Sequence, residues 1–343
     1  MMNAGVFIGT ANRGFAQQAQ EELRRLLGSV KSEWIVPGEV FLFAAETDRE
    51  EAIRRITGNE PVFLRHMQPV DARTSWNGSM DSLMGFVVER LSASPPYTGS
   101  KIAVQVRKTE DAAPDISSSV VKTAVDERLS SDYTAEPVVK GADFILSLFL
   151  TKDTVYYGMS RPEENLSDWS GGAVRFRRED GQVSRAKFKL LEAEQAFGLD
   201  FTQYRSALDI GAAPGGWTSL LLELGLKVTA VDPAKLDAGL LSHPNLTYHA
   251  KKADEVVFAA DAFDLLVCDM SWSHRQMAKL VRGLLYALKT GGTAIITVKL
   301  MNKKAFQSIR EVIQDLSPEL ELQKAKQLFH NREELTLFLV KTR

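Results

Sequence analysis

The chain has 343 residues, of which 44% are hydrophobic and 25% are charged, and its formal net charge is −2 with a pI near 6.3. This composition predicts a soluble globular protein of two or three domains and excludes a disordered chain. Because no global positive field exists, any surface for RNA must be a local patch, which favours a structured RNA over non-specific coating of nucleic acid.

Cysteine and histidine usage narrows the chemistry further. Cys268 is the only cysteine, which excludes disulfides within the chain, and its apolar neighbours predict a buried strand residue rather than a nucleophile. The five histidines show no metal-ligand spacing, so no metal site is predicted. Neither a signal peptide nor a membrane-length apolar run is present, and we expect a cytosolic protein with no membrane partner. Composition does not determine the oligomeric state.

The first half of the chain reads as two α/β regions. Residues 1–59 form a small region with apolar strand patterns and one amphipathic helix pattern, and residues 60–158 form a second, mixed region. The elements predicted in the second region are strands at Lys101–Arg107, Asp143–Leu150 and Val155–Met159 and a helix at Ile116–Leu129. This order resembles a THUMP domain, and the resemblance implies RNA recognition.

Residues 159–183 are polar and contain glycine, without apolar periodicity, and are predicted to be a linker. The densest run of positive charge in the chain begins inside this linker, with two aromatic residues, Phe176 and Phe188, interleaved. Its members are Arg175, Arg177, Arg178, Arg185, Lys187 and Lys189. Such a run suits contact with RNA phosphates and occasional base stacking, although solvated helix charges would give the same pattern.

A glycine-rich segment, Asp209-Ile-Gly-Ala-Ala-Pro-Gly-Gly-Trp217, ends a short apolar strand and opens a predicted helix. Gly211, Gly215 and Gly216 remove side chains where a ligand must approach the backbone, and Pro214 stiffens the turn. The segment therefore predicts a cofactor loop. Gly211-Ala-Ala213 breaks the G-x-G-x-x-G spacing of dinucleotide sites, which disfavours a nicotinamide cofactor. Asp232, which ends the next predicted strand, could hold the ribose of either a nicotinamide or an adenosyl cofactor.

This loop resembles the S-adenosylmethionine loop of the RrmJ/FtsJ-type ribose 2'-O-methyltransferases. The resemblance implies an α/β fold in which residues 184–343 form a Rossmann-like methyltransferase domain that follows the THUMP-containing region. It also implies S-adenosylmethionine as the cofactor. The residues that it assigns to cofactor binding are Asp209, Gly211, Ala212, Pro214, Gly215, Gly216, Trp217, Asp232, Asp254 and Asp269. Asp254 is the candidate for the adenine side, where Lys251 and Lys252 stand in place of the family's acid.

The same family uses a Lys-Asp-Lys-Glu tetrad, and the chain can fill each position. The segment Ser184–Glu192 resembles the family's SRAxFKL motif and supplies Lys189, and two predicted strands end at Asp269 and Lys299. The segment before the last strand supplies Glu333 by match to the family's Arg-Glu pair. Glu334 is the competing assignment, because neighbouring strand residues point to opposite faces.

The reaction explains why these residue types are needed. A ribose 2'-hydroxyl is a weak acid, and a lysine can accept its proton only if a neighbouring cation or burial lowers the lysine pKa from about 10.4. We therefore expect Lys299 to be the base or to orient the hydroxyl, with Asp269 holding it. Lys189 and Glu333 form the supporting pair.

Two segments, Met270–His274 and Phe329–Thr336, resemble the RlmM-like subgroup of this family, whose members methylate ribosomal RNA. The leading hypothesis is thus a ribose 2'-O-methyltransferase that acts on 23S ribosomal RNA, free or in a pre-ribosomal particle. The alternatives are an inactive RNA-binding protein that retains the methyltransferase fold and a nicotinamide-dependent oxidoreductase. The target nucleotide is not determined by these patterns.

Overall fold

The computed structural model describes residues 5–93, 99–178, 181–301 and 304–343. The chain divides into two compact units, residues 1–173 and 174–343. This division falls within the predicted linker, of which residues 179–180 lie outside the described residues. Among the described residues, no helix is long and apolar enough to cross a membrane.

The first unit begins with a four-stranded antiparallel sheet of strand order β2-β3-β1-β4. The β-α-β-β-α-β order of its elements is that of a ferredoxin-like arrangement. Helix α2 begins where the Asp48 side chain accepts the Glu51 N–H, at 2.8 Å. The elements are β1 (Val6–Thr10), α1 (Ala16–Leu27), β2 (Val30–Val36), β3 (Val40–Ala45), α2 (Arg49–Gly58) and β4 (His66–Pro69).

The second sheet of this unit has five strands in the order β5-β9-β8-β6-β7. Its elements are β5 (Ala72–Ser75), α3 (Met80–Ala93), β6 (Lys101–Lys108), α4 (Ser118–Tyr133), β7 (Glu136–Pro137), β8 (Phe144–Leu150) and β9 (Thr154–Ser160). The strands and the helix predicted for residues 60–158 are present here as β6, β8, β9 and α4. Strand β4 lies in that predicted range but pairs with β1, so the first sheet extends beyond residue 59.

The second unit is a seven-stranded sheet of order β12-β11-β10-β13-β14-β16-β15 with helices between its strands. Strands β10 to β14 are parallel, and β16 inserts antiparallel between β14 and β15. The elements are α5 (Lys187–Phe197), β10 (Ser206–Ile210), α6 (Gly216–Glu223), β11 (Lys227–Val231), β12 (Leu246–His249), β13 (Phe263–Cys268), α7 (His274–Leu284), β14 (Leu288–Lys299), α8 (Ala305–Leu316), β15 (Leu320–Lys326) and β16 (Glu334–Lys341).

This order reverses direction between β10 and β13, because the chain runs outward from β10 through β11 and β12 and then returns to β13 on its other side. Open α/β sheets bind ligands beyond the carboxyl ends of the strands at such a switch point. The predicted Rossmann-like fold of this half is confirmed, and the reversal places a ligand cleft beyond Ile210 and Cys268.

The core of the second unit supports this edge. Leu265 on β13 is fully buried and belongs to a cluster of apolar side chains from α5, α6 and the central strands.

Leu265→Ala should lower the free energy of unfolding by about 2–5 kcal/mol, because a buried leucine loses both its transfer free energy and its packing. Urea denaturation measures this loss. Leu241→Ala is the matched control, since Leu241 is 54% exposed, and its effect should stay within about 0.5 kcal/mol. Equal losses in the two variants would contradict the described core.

Candidate active site

The glycine-rich loop connects β10 to α6 and comes close to two other segments. Gly211 and Gly215 have positive φ angles of 75° and 117°, a region that side-chain-bearing residues rarely adopt. A Cβ on Gly211 would lie 2.5 Å from Met270 Cγ, and one on Gly216 would lie 3.1 Å from the Lys187 nitrogen. Glycine is required here because the loop lies against the segment after β13 and against the start of α5.

Two loop residues that the sequence assigned to the cofactor lie in the core. Trp217 is 3% exposed, and its indole N–H donates to the Ala186 carbonyl at 2.8 Å. Ala212 packs with Ala230 and Leu236 beneath the loop. These contacts tie the loop to α5 and to the sheet. Pro214 follows a cis peptide bond in the middle of the loop.

Asp209 is buried under the loop at the end of β10. Its carboxyl accepts a hydrogen bond from the Thr218 hydroxyl at 2.6 Å. Burial raises the pKa of Asp209 to about 7, with the Thr218 hydrogen bond opposing this shift and the Asp269 and Asp232 carboxylates adding to it. The group therefore fixes the first turn of α6 from below.

A cleft of about 310 Å³ opens above the loop, where the switch point predicts a ligand. Its lining includes Gly211, Ala213, Asp232, Lys252, Asp269, Met270, Ser271 and Trp272. The Asp232 carboxylate accepts hydrogen bonds from the backbone N–H groups of Ala213 and Ala234, at 3.1 and 2.7 Å. The bond to Ala213 holds the loop against the end of β11. A carboxylate with further lone pairs can still accept a ribose hydroxyl.

Asp254, which the sequence made the candidate for the adenine side, lies outside the lining of this cleft. Asp254 is exposed, and its neighbours Lys252 and Ala253 line the cleft instead. Trp272, which is 42% exposed, also lines the cleft, although the sequence reasoning did not select it. The available signal was a tryptophan three residues after the strand-terminal acid Asp269.

A second cleft, of about 650 Å³, adjoins the first. It is lined by Lys189, Asp269, Met270, Ser271, Lys299, Arg332, Glu333 and Glu334. The two clefts share Asp269, Met270 and Ser271 as a common wall. The structure thus brings together all the predicted tetrad residues and sets them directly beside the loop cleft. Arg332 is an exposed cation in this lining that the sequence reasoning left unassigned.

An ion-pair cluster lies in the second cleft, and Asp269 contacts Lys189 in it, whereas the sequence predicted that Asp269 would hold Lys299. Lys189 Nζ lies 3.2 Å from both Asp269 carboxylate oxygens and 2.8 Å from Glu334 Oε1. The Thr297 hydroxyl also donates to Asp269 Oδ1, at 2.7 Å. Burial lowers the pKa of the Lys189 ammonium, but the carboxylates of Asp269 and Glu334 outweigh this effect and raise the pKa above its ordinary value. Lys189 is therefore held as a cation.

The carboxylate that meets Lys189 is that of Glu334 rather than Glu333. Glu334 is the first residue of β16 and pairs across the sheet with Lys299, the last residue of β14. Side chains of directly paired residues lie on the same face, so Glu334 and Lys299 share the cleft. Glu333 has an exposed side chain, and its carbonyl oxygen accepts the Leu300 N–H at 2.8 Å. Both glutamates line the cleft, but the ion pair with Lys189 is made by Glu334.

The basic run before the tetrad divides into two groups. Lys187 is buried in an ion pair with Glu223, at 2.6 Å, and Lys189 belongs to the cluster described above. The exposed members are Arg175, Arg177, Arg178 and Arg185. Phe176 and Phe188 do not stand free between the arginines, because their rings stack on each other with centroids 5.5 Å apart.

Two further expectations concern cysteine and metals. Cys268 is fully buried in β13, as predicted, and burial with the adjacent Asp269 and Asp209 carboxylates raises the pKa of its thiol well above the ordinary value. Such a thiol is a poor nucleophile.

Within the part of the chain that the structure describes, no group of three or more His, Cys, Asp or Glu side chains is placed to hold a metal ion.

Residues 182–328 match the model of the FtsJ-like methyltransferase family. Similar curated proteins are the ribosomal RNA large subunit methyltransferases M of Psychromonas ingrahamii, 34% identical over 55% of this chain and 54% of the relative, and of Laribacter hongkongensis, 32% identical over 61% and 62%. The protein of that name from Tolumonas auensis is 28% identical over 85% and 82%. The matches to the Psychromonas and Laribacter proteins span about half to three fifths of the length of those relatives. A solved structure, TrmN from Thermus thermophilus, aligns over 99% of this chain and 100% of its own with a TM-score of 0.42 and 15% identity.

The family resemblance that the sequence predicted for residues 184–343 is confirmed over residues 184–328 by this family match. The matched range contains the glycine-rich loop and three of the predicted tetrad residues, Lys189, Asp269 and Lys299.

The raised pKa of Asp209 predicts a pH-dependent stability. Between about pH 4 and pH 7 the folded chain keeps a proton on this carboxyl that the unfolded chain releases. The stability contribution is therefore complete below pH 4 and is lost as the pH rises to about 7, by about 1.4 kcal/mol per pH unit. Asp209→Asn, which stays neutral, should lack this loss. Denaturant unfolding of both proteins from pH 4 to pH 8 measures the difference, and a difference that does not vary with pH would contradict the assignment.

Proposed function

We propose that this chain is an S-adenosylmethionine-dependent methyltransferase that modifies ribose 2'-hydroxyl groups of large-subunit (23S) ribosomal RNA. The methyltransferase class and its cofactor rest on the family match over residues 182–328 and on the curated relatives, which are named ribosomal RNA large subunit methyltransferases. The observation that carries the proposal is the shared wall of Asp269, Met270 and Ser271 between the loop cleft and the tetrad cleft.

The loop cleft fits the adenosyl cofactor. Gly211 lets a ligand approach the backbone, Asp232 offers a carboxylate to ribose hydroxyls, and Trp272 offers an aromatic face. When bound, S-adenosylmethionine supplies an electrophilic methyl group on a sulfonium. Lys252 and Ala253, rather than Asp254, are then the candidates beside the base.

The tetrad cleft then receives the ribose. Lys189 stays a cation between Asp269 and Glu334, so its role is to fix the two carboxylates and to stabilise negative charge on the hydroxyl oxygen. Lys299 is exposed at the end of β14. As general base it takes the 2'-hydroxyl proton during methyl transfer, and that proton then passes to solvent. Glu334, the cross-strand partner of Lys299, orients its amine.

RNA is held by local charge in this proposal. Arg175, Arg177, Arg178 and Arg185 are exposed ahead of the first tetrad lysine, and Arg332 lines the tetrad cleft itself. Guanidinium groups bind phosphate oxygens through two parallel hydrogen bonds, which suits a folded RNA held at a few phosphates. The β5–β9 sheet region of the first unit, similar in element order to a THUMP domain, contributes further RNA contact.

One assay tests the function. The protein is incubated with labelled S-adenosylmethionine and ribosomal RNA from cells that lack it, and the modified nucleosides are identified by mass spectrometry. We expect 2'-O-methylated nucleosides in large-subunit RNA. Base methylation would contradict ribose specificity, and cofactor binding without transfer to any RNA would favour an inactive RNA-binding protein.

Lys299→Ala should lower the transfer rate by about 100-fold or more, since general base catalysis contributes that much, and should leave cofactor affinity unchanged. Lys289→Ala is the matched control, because Lys289 is an exposed lysine on the same strand outside the cleft. Single-turnover rates and calorimetric titration with S-adenosylhomocysteine give the two quantities. A Lys299→Ala rate equal to that of Lys289→Ala would refute the role of Lys299.

The two glutamates provide a second comparison. Glu334→Gln removes the carboxylate from Lys189 and Lys299 and should slow transfer by at least about 10-fold, because misplaced reacting groups lose effective concentration steeply. Glu333→Gln should retain most of the rate, since the ion pair with Lys189 is made by Glu334. The same single-turnover assay ranks them, and the reverse order would restore Glu333 as the tetrad acid.

A further inference from the structure

Glu192 lies one helical turn after Lys189 on α5, and its side chain is only 5% exposed. Residues three apart on a helix lie on the same face. Glu192 accepts the N–H groups of Phe329 and His330, at 2.7 and 2.9 Å, and the His330 Nδ1–H at 2.7 Å. A buried carboxylate is costly unless hydrogen bonds compensate for lost hydration, and these three donors do so.

The segment that Glu192 holds leads directly into the tetrad. His330 is four residues before Glu334, and the backbone between them is fixed by further side chains. Asn331 Oδ1 accepts the Leu328 N–H at 2.9 Å, and the Gln327 amide donates to the Arg332 carbonyl at 3.2 Å. Because these hydrogen bonds hold residues 327–332 in one conformation, the contact with Glu192 fixes the position of the whole segment relative to α5.

Helix α5 therefore makes two charged contacts with the same stretch of chain. Lys189 meets the Glu334 carboxylate, and Glu192 meets the backbone at residues 329 and 330. The His330 ring adds a packing contact, with its centroid 5.6 Å from that of Phe176 and 5.4 Å from that of Phe188.

We propose that Glu192 is a positioning residue, which holds residues 329–330 against α5 so that the Glu334 carboxylate reaches Lys189 and Lys299. It does not touch the substrate; it acts through Glu334. The inference rests on the proposed function only for its effect on methyl transfer, since the geometry at Lys189 is a separate observable.

The chain offers a matched control on the same helix. Glu194 Oε1 also accepts a backbone N–H, that of Phe201 at 2.9 Å, but this contact leads toward β10 rather than the tetrad. Glu192→Gln turns one acceptor oxygen into an amide donor that faces backbone N–H groups. Glu194→Gln makes the same chemical change at the other contact.

We expect Glu192→Gln to lower the transfer rate by about 10- to 100-fold, as expected for a small displacement of a reacting group, with unchanged affinity for S-adenosylhomocysteine. The transfer rate of Glu194→Gln should stay within about 2-fold of the wild-type rate, since substitutions away from the site have small effects. The double variant Glu192→Gln/Glu334→Gln should be no slower than Glu334→Gln alone, because both changes remove one interaction. Additive losses would overturn the proposal.

A readout without activity separates this inference from the proposed function. The Lys189 ammonium pKa, followed by side-chain lysine NMR, should fall in Glu192→Gln because Glu334 moves away, and should not change in Glu194→Gln. An unchanged Lys189 pKa in Glu192→Gln overturns the positioning role. A lowered pKa in a protein that methylates no RNA supports the positioning role and refutes the function.

If Glu192→Gln does not fold, His330→Phe provides the milder variant. It retains an aromatic ring against Phe176 and Phe188 and both backbone hydrogen bonds, and it removes only the bond to Nδ1. A smaller fall in rate that again disappears in the Glu334→Gln background supports the proposal. A fall that persists in that background overturns it.

Discussion

The Asp269 carboxylate is the group on which the site depends. It follows β13, the strand between β10 and β14, and it accepts hydrogen bonds from Lys189 on α5 and Thr297 on β14. A partly buried carboxylate requires such partners because its hydration is incomplete. One acid thereby links a helix and two strands. Since Asp269 also lines both clefts, the ion pair with Lys189 holds in place the wall that the two clefts share.

The charges in the tetrad cleft are arranged unequally. Lys189 lies between two carboxylates and is held as a cation, whereas Lys299 is exposed at a strand end beside one carboxylate. Two lysines in one cleft can thus take different roles, because their environments differ. The antiparallel β16 makes this possible: its first residue reaches the carboxyl end of β14, where a parallel strand would present its last residue.

Much of the fold could be read from residue patterns. Buried parallel strands appear as short apolar runs, and the ends predicted at Asp232, Asp269 and Lys299 lie within one residue of the observed ends of β11, β13 and β14. Strand β4 could not be assigned to its sheet in this way, because its pairing with β1 joins residues far apart in the chain. The stacking of Phe176 on Phe188 could not be predicted from the sequence either, because both rings pack against His330, which is distant in the chain.

The sequence by itself determined the type of loop, its cofactor class and the set of charged residues, because glycine spacing and strand-terminal charges are local properties of the chain. Only the tertiary structure decided between Glu333 and Glu334, because the choice depends on the register of β16 against β14 and not on either residue's neighbours. The tertiary structure also shows that Trp217 is buried in the core and that Lys252 and Trp272 line the loop cleft. It shows as well that Glu192 contacts the segment before Glu334. Each of these placements depends on contacts between segments distant in sequence, and local pattern carries no information about such contacts.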